Sequence, residues 1–297
     1  CIRDRLRTIL DTGGASGGKI TFDDIFDVAD AEEDGEGNDS VVDGYTGVSH
    51  GHQSQADGTY LECLKVRPGM EKAAAFLETR RYAAMLGATM ELRKEEGVTF
   101  NPDDNKLYVA MSEVSKGMRE NTDGAKNKYE AFGNDDIRLP ADIKYGVVYE
   151  CDVDAGYSVT DMVGLVVSSL APDTADYQAG GMYEGNSADV NTIANPDNVT
   201  YIPGFDTLII GEDTGSGHQN DIIWSYNLNT AELTRIQTTP YGSETTSPYF
   251  YPNINGWAYM MSVIQHPYGE SDSDKVGSGS AERRAYTGYV GPFPALD

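Results

Sequence analysis

The sequence predicts an all-β fold built from repeated four-stranded units, and two observations carry that prediction. The first is self-similarity. Glu96-Gly-Val-Thr-Phe-Asn-Pro-Asp-Asp-Asn-Lys-Leu107-Tyr-Val lies without a gap over Asp197-Asn-Val-Thr-Tyr-Ile-Pro-Gly-Phe-Asp-Thr-Leu208-Ile-Ile, 101 positions on, and Val98, Thr99, Pro102 and Leu107 recur as Val199, Thr200, Pro203 and Leu208. A weaker copy begins at Thr246, a further 49 positions on, keeping an aromatic at Phe250 and a proline at Pro252. The second observation is patterning: past the first third of the chain, short alternating runs rich in Val, Ile, Tyr and Thr are separated by turn residues, as in antiparallel sheet. Strand-turn-strand copies, each followed by a second pair of strands (Gly146–Asp154, Ile222–Asn229), make units of the size of β-propeller blades.

In chain order, residues 1–58 read as an acidic, Gly-rich loop or insertion region, with Ile20–Val28 as a short apolar piece. Residues 59–95 read as a strand plus a helical insertion: Met70, Ala73, Ala74, Leu77, Tyr82, Met85 and Leu86 recur near helical spacing between Pro68-Gly69 and Gly87. Residues 96–297 hold the blades, about three in this chain, all parts of one propeller domain, with polar insertions at about 115–142 and 171–194. Three blades cannot close a ring and leave open edges, so further blades are expected from absent upstream sequence or from a second chain. A chain opening at Cys1 without Met is read as incomplete.

The formal charge of −26 excludes a nucleic-acid partner, which needs a basic footprint. No apolar run approaches the roughly 20 residues of a membrane span. Cys1, Cys63 and Cys151 form no metal-finger spacing. No nucleophile elbow, P-loop or dinucleotide fingerprint occurs, and no catalytic side chain is assigned.

The candidate site follows from the repeat. Innermost strands line a propeller channel, so Glu96 and Asp197, at matched positions, converge there. Asn198 stands beside the second acid, and the next strands end in Glu113 and in Glu212-Asp213. Like charges at short range cannot all ionise without cations, and an all-oxygen set suits Ca²⁺, Mg²⁺, Mn²⁺ or Fe³⁺. Gly215-Ser-Gly-His218-Gln-Asn220-Asp221 reads as a polar inter-strand loop near the same mouth, His50 and His52 as a weak metal clip, and Arg80 and Arg81 as a solvated helix face with phosphate capture as the alternative.

Asp57-Gly-Thr-Tyr-Leu-Glu-Cys, Glu78-Thr-Arg-Arg-Tyr-Ala-Ala, Lys94-Glu-Glu-Gly-Val-Thr-Phe-Asn-Pro, Asn195-Pro-Asp-Asn-Val and Leu208-Ile-Ile-Gly-Glu-Asp together resemble the later half of the PhoX-type alkaline phosphatases, over roughly residues 57–265. The resemblance implies a six-bladed propeller when complete, a periplasmic or extracellular phosphomonoesterase, and a Ca²⁺/Fe³⁺ site. Glu96 and Glu212 would hold iron, and Glu113, Asp197, Asn198 and Asp213 calcium. The family's iron-ligating cysteine motif is not found, and neither Cys63 nor Cys151 stands in one. Two alternatives stay open: a calcium-dependent lactonase-type propeller hydrolase, and an acidic calcium-binding extracellular propeller without catalysis.

Overall fold

The computed structural model describes residues 20–33, 39–49, 61–89, 91–119, 137–269, 276–277 and 279–296. It divides into two compact units, one of Cys1–Leu92 with Lys116–Ala141 and one of Arg93–Ser115 with Asp142–Asp297. The polar insertion near 115–142 therefore belongs to the first unit. His50, His52 and Cys1 lie outside the described residues.

The described residues of the first unit form short strands and helices. Its short apolar piece forms a helical turn, Phe22–Ile25, capped by Thr21 and Asp24, and runs into strand β1, Phe26–Ala29. A small hairpin of β2, Glu32–Glu33, with β3, Asp39–Ser40, follows. β4, Thr46–Ser49, and β1 flank β5, Leu61–Val66, in an antiparallel sheet. Ile25, Phe26, Val48 and Leu64 bury with Ala74 and Leu77 of the helical insertion. That insertion is two short helices, Glu71–Leu77 and Thr79–Met85, and not one. The break falls at Glu78, whose backbone leaves helical geometry while its buried carboxylate pairs with Arg81.

The second unit holds three antiparallel sheets. β6 (Glu95–Asn101), β7 (Lys106–Met111), β8 (Val147–Val153) and β9 (Val159–Val167) form the first, in sequence order. β10 (Pro196–Ile202), β11 (Thr207–Glu212), β12 (Asn220–Asn227) and β13 (Leu233–Tyr241) form the second. β14 (Glu244–Ile254), β15 (Trp257–Gln265) and β16 (Tyr286–Pro294) form the third, with three described strands in place of the expected four.

The sheets pack face to face. Tyr108, Ala110, Val148 and Val166 of the first bury against Val199, Tyr201, Leu208, Ile210 and Trp224 of the second. Ile202, Ile209 and Ile223, on the second sheet's other face, bury with Met260 and pack on Phe250 and Val290 of the third. Side-chain bonds stitch the leading strands together: the Tyr201 N–H donates to Thr99 Oγ1 at 3.1 Å, and Thr200 Oγ1 donates to the Pro248 carbonyl.

Candidate active site

The leading strands of the first two sheets break register at the same place in the repeat, and that of the third breaks one position later. The irregularity falls between Glu95 and Val98 in β6, between Pro196 and Val199 in β10, and between Thr246 and Tyr249 in β14. A bulge re-aims the side chains it contains, and the re-aimed residues are Glu96-Gly97 and Asp197-Asn198. Lys94 and Asn195, each two positions before its acid, both hold left-handed backbone, and their carbonyls accept from the Ser112 and Asp213 N–H groups at 3.0 Å. The same local geometry is thus built twice. Gly97 lets the two bulges meet, because a Cβ there would lie 2.5 Å from the Asp197 carbonyl oxygen and 2.6 Å from the Val199 nitrogen.

Asp197 is the electrostatic centre. Its carboxyl is pushed up to about 7, first by partial burial and then by the charges of Glu96, Glu244 and Asp213, with Lys94 opposing. Four carboxylates therefore share one neighbourhood. Among the described residues no hydrogen bond occupies the Asp197 carboxylate. Glu96 meets Lys94 Nζ at 3.2 Å and accepts a long bond from Ser112 Oγ. Glu244 accepts from Gln265 Nε2 at 2.7 Å and pairs with His266 Nε2 at 3.0 Å.

Glu244 and His266 were not legible as site residues. The third repeat copy aligns from Thr246, but β14 begins two residues earlier with an acid, as β6 begins with Glu95. Pairing the third strand's first residue with those of the other two would have found Glu244.

Glu212 goes elsewhere. It is fully buried, and four donors fill its carboxylate: the Ala194 N–H at 2.8 Å and Trp224 Nε1–H at 2.7 Å on Oε1, the Ile222 N–H at 3.0 Å and His218 Nδ1 at 2.9 Å on Oε2. His218 Nε2 faces the Asp189 carbonyl at 3.2 Å, which can only accept, so the surroundings of both ring nitrogens favour the imidazolium. Burial works against that charge, but the Glu212 hydrogen bond and charge together outweigh it and raise the pKa. The second half of the expected loop is therefore buried structure: His218 is enclosed and β12 has begun by Asn220.

Asp221 is buried beside this pair. Its Oδ2 accepts from the Thr214 N–H at 3.2 Å, and its Oδ1 has no hydrogen-bond partner. Burial first, then the charge of Glu212, raises its pKa well above the usual carboxylate range and favours the neutral acid.

Two further expected ligands have internal partners. Glu113 pairs with Arg93 at 2.9 Å and accepts from Ser115 Oγ, and Asn198 Oδ1 accepts from the Ser247 N–H. In the first unit Arg81 bonds Glu62 at 2.7 and 2.9 Å and Glu78 at 2.9 Å, over the Phe22 ring. Arg80 lies beside Arg81, its pKa lowered by burial and by that neighbouring charge.

Among the described residues no three His, Cys, Asp or Glu side chains are spaced to hold one ion. The carboxylates surround Asp197 but do not meet at a common point. As donors, the oxygens of Glu96, Asp197, Asp213 and Glu244 suit a hard cation. They do not suit an iron-thiolate centre: the Cys151 thiol is buried in β8, and burial with the nearby Glu150 and Asp152 charges raises its pKa.

No family profile and no curated protein matches the chain. Among solved structures the chain is similar to Pseudomonas fluorescens PhoX in complex with vanadate, a transition state analogue. The identity is 20%, the TM-score 0.48, and the match covers 72% of this chain and 36% of that one. The chain thus spans about a third of that protein's length. Among the described residues no helix is long and apolar enough to cross a membrane.

Proposed function

We propose that the three sheets of the second unit are propeller blades and that their bulged leading strands form a carboxylate-lined, cation-dependent site hydrolysing phosphate monoesters. The observation that supports this reading is the gathering of the Glu96, Glu244 and Asp213 charges around a half-buried Asp197, whose pKa burial first and those charges next push up to about 7. Such a cluster repels a phosphate dianion, and the chain's net charge of −26 adds to the repulsion. A cation reverses the sign. The oxygens of Glu96, Asp197, Asp213 and Glu244 are the donors such a cation would draw on, calcium first and Mg²⁺ or Mn²⁺ as alternatives, once their side chains move in from the present spacing, and it would offset the charge on the phosphate oxygens.

The chain's own groups supply the rest. Asp197, near 7 without a cation, gives up its proton as a cation binds and so couples loading of the site to pH. The Glu244 carboxylate fixes the ring of His266 at the edge of the same cluster. Glu212 does not enter as a ligand here, because its lone pairs are filled; it holds the turn through Ala194, His218 and Ile222 from which Asp213 projects. Iron has no place in this proposal. The motif resemblance supports the phosphoester substrate and an exported, periplasmic or extracellular protein.

The test is hydrolysis of p-nitrophenyl phosphate with calcium, after chelation and on readdition, beside calorimetric titration of calcium. Activity that follows calcium and is lost in Asp197→Asn supports the reading. Calcium binding without hydrolysis favours the non-catalytic calcium propeller, and hydrolysis unaffected by chelation refutes the cation site.

A further inference from the structure

The third sheet has three described strands where the first two have four, and the pairing shows which position that leaves uncovered. In the second sheet Tyr201, Leu208, Tyr226 and Leu233 stand in one row across β10, β11, β12 and β13. Their counterparts in the first sheet are Phe100, Leu107, Cys151 and Met162. In the third sheet the row runs Phe250, Met260, Val290 across β14, β15 and β16, and among the described residues no strand continues it. Cys151 and Tyr226, third members of the complete rows, are 2% and 7% exposed, whereas Val290 is only half-buried and Phe293 beside it on β16 is 43% exposed.

At that point a cavity of about 480 Å³ lies between the second and third sheets. Ile209 and Ile236 line it on one side, and Phe250, Met260, Val290 and Phe293 on the other, so it reaches the last described strand of each sheet, β13 and β16. The equivalent place between the first and second sheets is filled: Leu233 of β13 packs there against the buried cluster around Tyr226. The edge of β16 is also unguarded. Tyr286–Pro294 carries no charged residue, on a chain with a net charge of −26. Exposed edges are ordinarily blunted by charged side chains, by proline or by a covering element. Here Pro292 and Pro294 stand at one end only, which leaves Tyr286–Val290 able to pair.

We propose that β16 and this cavity form an acceptor for one added peptide strand, running antiparallel to β16 as β9 runs to β8 and β13 to β12. The strand it fits is extended, carries no acidic residue, and places an apolar side chain opposite Val290 so that it enters the cavity. In strand addition the main-chain hydrogen bonds supply affinity and the side-chain pocket supplies specificity. Acidic strands are disfavoured because the chain's own charge repels them. The acceptor follows from the strand pairing of the repeats, and neither the phosphatase activity nor a closed ring enters into it.

The repeat supplies the probe. A synthetic peptide of the β13 sequence, Leu233–Tyr241, carries one arginine and no acid, and its Leu233 is the side chain that pairs with Tyr226 in the second sheet. Fluorescence anisotropy of the labelled peptide against the 297-residue chain is expected to show saturable binding, with amide hydrogen exchange slowed across Tyr286–Val290. The Leu233→Asp peptide should bind at least about tenfold more weakly, because it loses one buried leucine side chain. Val290→Asp in the protein should abolish binding, and Ile236→Asp, at a 36% exposed position on the facing wall, serves if Val290→Asp does not fold by circular dichroism. Absence of saturable binding overturns the proposal. Binding that leaves exchange in Tyr286–Val290 unchanged overturns it as well, because the peptide is then not a strand of this sheet. Uptake of the neutral dye Nile red without uptake of the peptide also overturns it, since the cavity then takes small apolar molecules. The readouts are affinity and amide exchange, independent of calcium and hydrolysis, so failure here leaves the proposed activity standing, and failure of the activity leaves this standing.

Discussion

Replacing Glu212 separates a structural carboxylate from a metal ligand. Glu212→Ala removes the acceptor of four buried donors at once, among them the imidazolium of His218. Breaking a buried pair by deleting one partner costs about 3–5 kcal/mol, and each buried donor left unmet costs about 1–3 kcal/mol. Water entering the vacated space recovers part of the second sum, so we take about 4 kcal/mol as the net loss. For a unit of this size, about 2–4 °C accompany each kcal/mol, giving a fall in melting temperature of about 8–16 °C. The assay is differential scanning calorimetry in chelator and again in calcium. The same fall in both solutions is expected, because the partners of Glu212 are protein groups. Glu212→Gln, which keeps the shape but turns an amide N–H₂ toward donors, should fall by a smaller amount, also without regard to calcium. A change under about 2 °C in chelator, or a loss seen only with calcium, would refute the account and return Glu212 to the cation site.

Other consequences are accessible to simple measurements. His218 has a raised pKa, so its contribution to stability is fully present below about 6.5 and is lost as pH rises through its folded value; melting curves from pH 5 to 9 should show that loss in the wild type and not in His218→Gln. Asp221 is a carboxyl whose folded pKa is raised, so it erodes stability as pH climbs above its unfolded value of about 3.9; Asp221→Asn should melt higher than wild type at pH 7 and match it near pH 3, and a destabilised variant at pH 7 would contradict the neutral-acid assignment. Asp197, near 7, should titrate lower in Glu96→Gln by carboxyl ¹³C NMR, and calcium added at pH 6.5 should release protons measurable in a weakly buffered solution. Gly97→Ala would place a methyl 2.5 Å from the Asp197 carbonyl, and overpacking of this kind costs about 1–3 kcal/mol, readable in urea unfolding.

The strand plan was legible because the repeat and the alternation agree. Glu96 and Asp197 head matched runs, and β6 and β10 begin within one residue of them. What alternation cannot report is where it breaks. The bulges at Glu96-Gly97 and Asp197-Asn198 insert a residue without changing composition, and of the two left-handed residues that precede them only Asn195 is of a type that favours that conformation, while Lys94 gives no warning. The small sheet of the first unit was hidden for a different reason: β1 and β4 are four residues long, set among Asp, Glu and Gly, and are stabilised by pairing with β5 from up to some 40 positions away.

Glu212 and Asp213 show how adjacent residues of one motif can part company in the fold. As adjacent acids at the end of a strand they read as one ligand pair. Successive residues of an extended chain point to opposite sides, and here the two sides are different environments. Glu212 turns into the enclosed hub formed by Ala194, His218, Ile222 and Trp224, and Asp213 acts on the charge of Asp197. Strand β11 is buried on both faces, so its residues Leu208–Glu212 carry no polar alternation from which that direction could be read. The donors that decide it lie 18 positions before and 6 to 12 positions after the acid in the chain. The proposed cation site at Asp197 and the stability that Glu212 supplies are therefore separable, and the calorimetric comparison in chelator and calcium reads them one at a time.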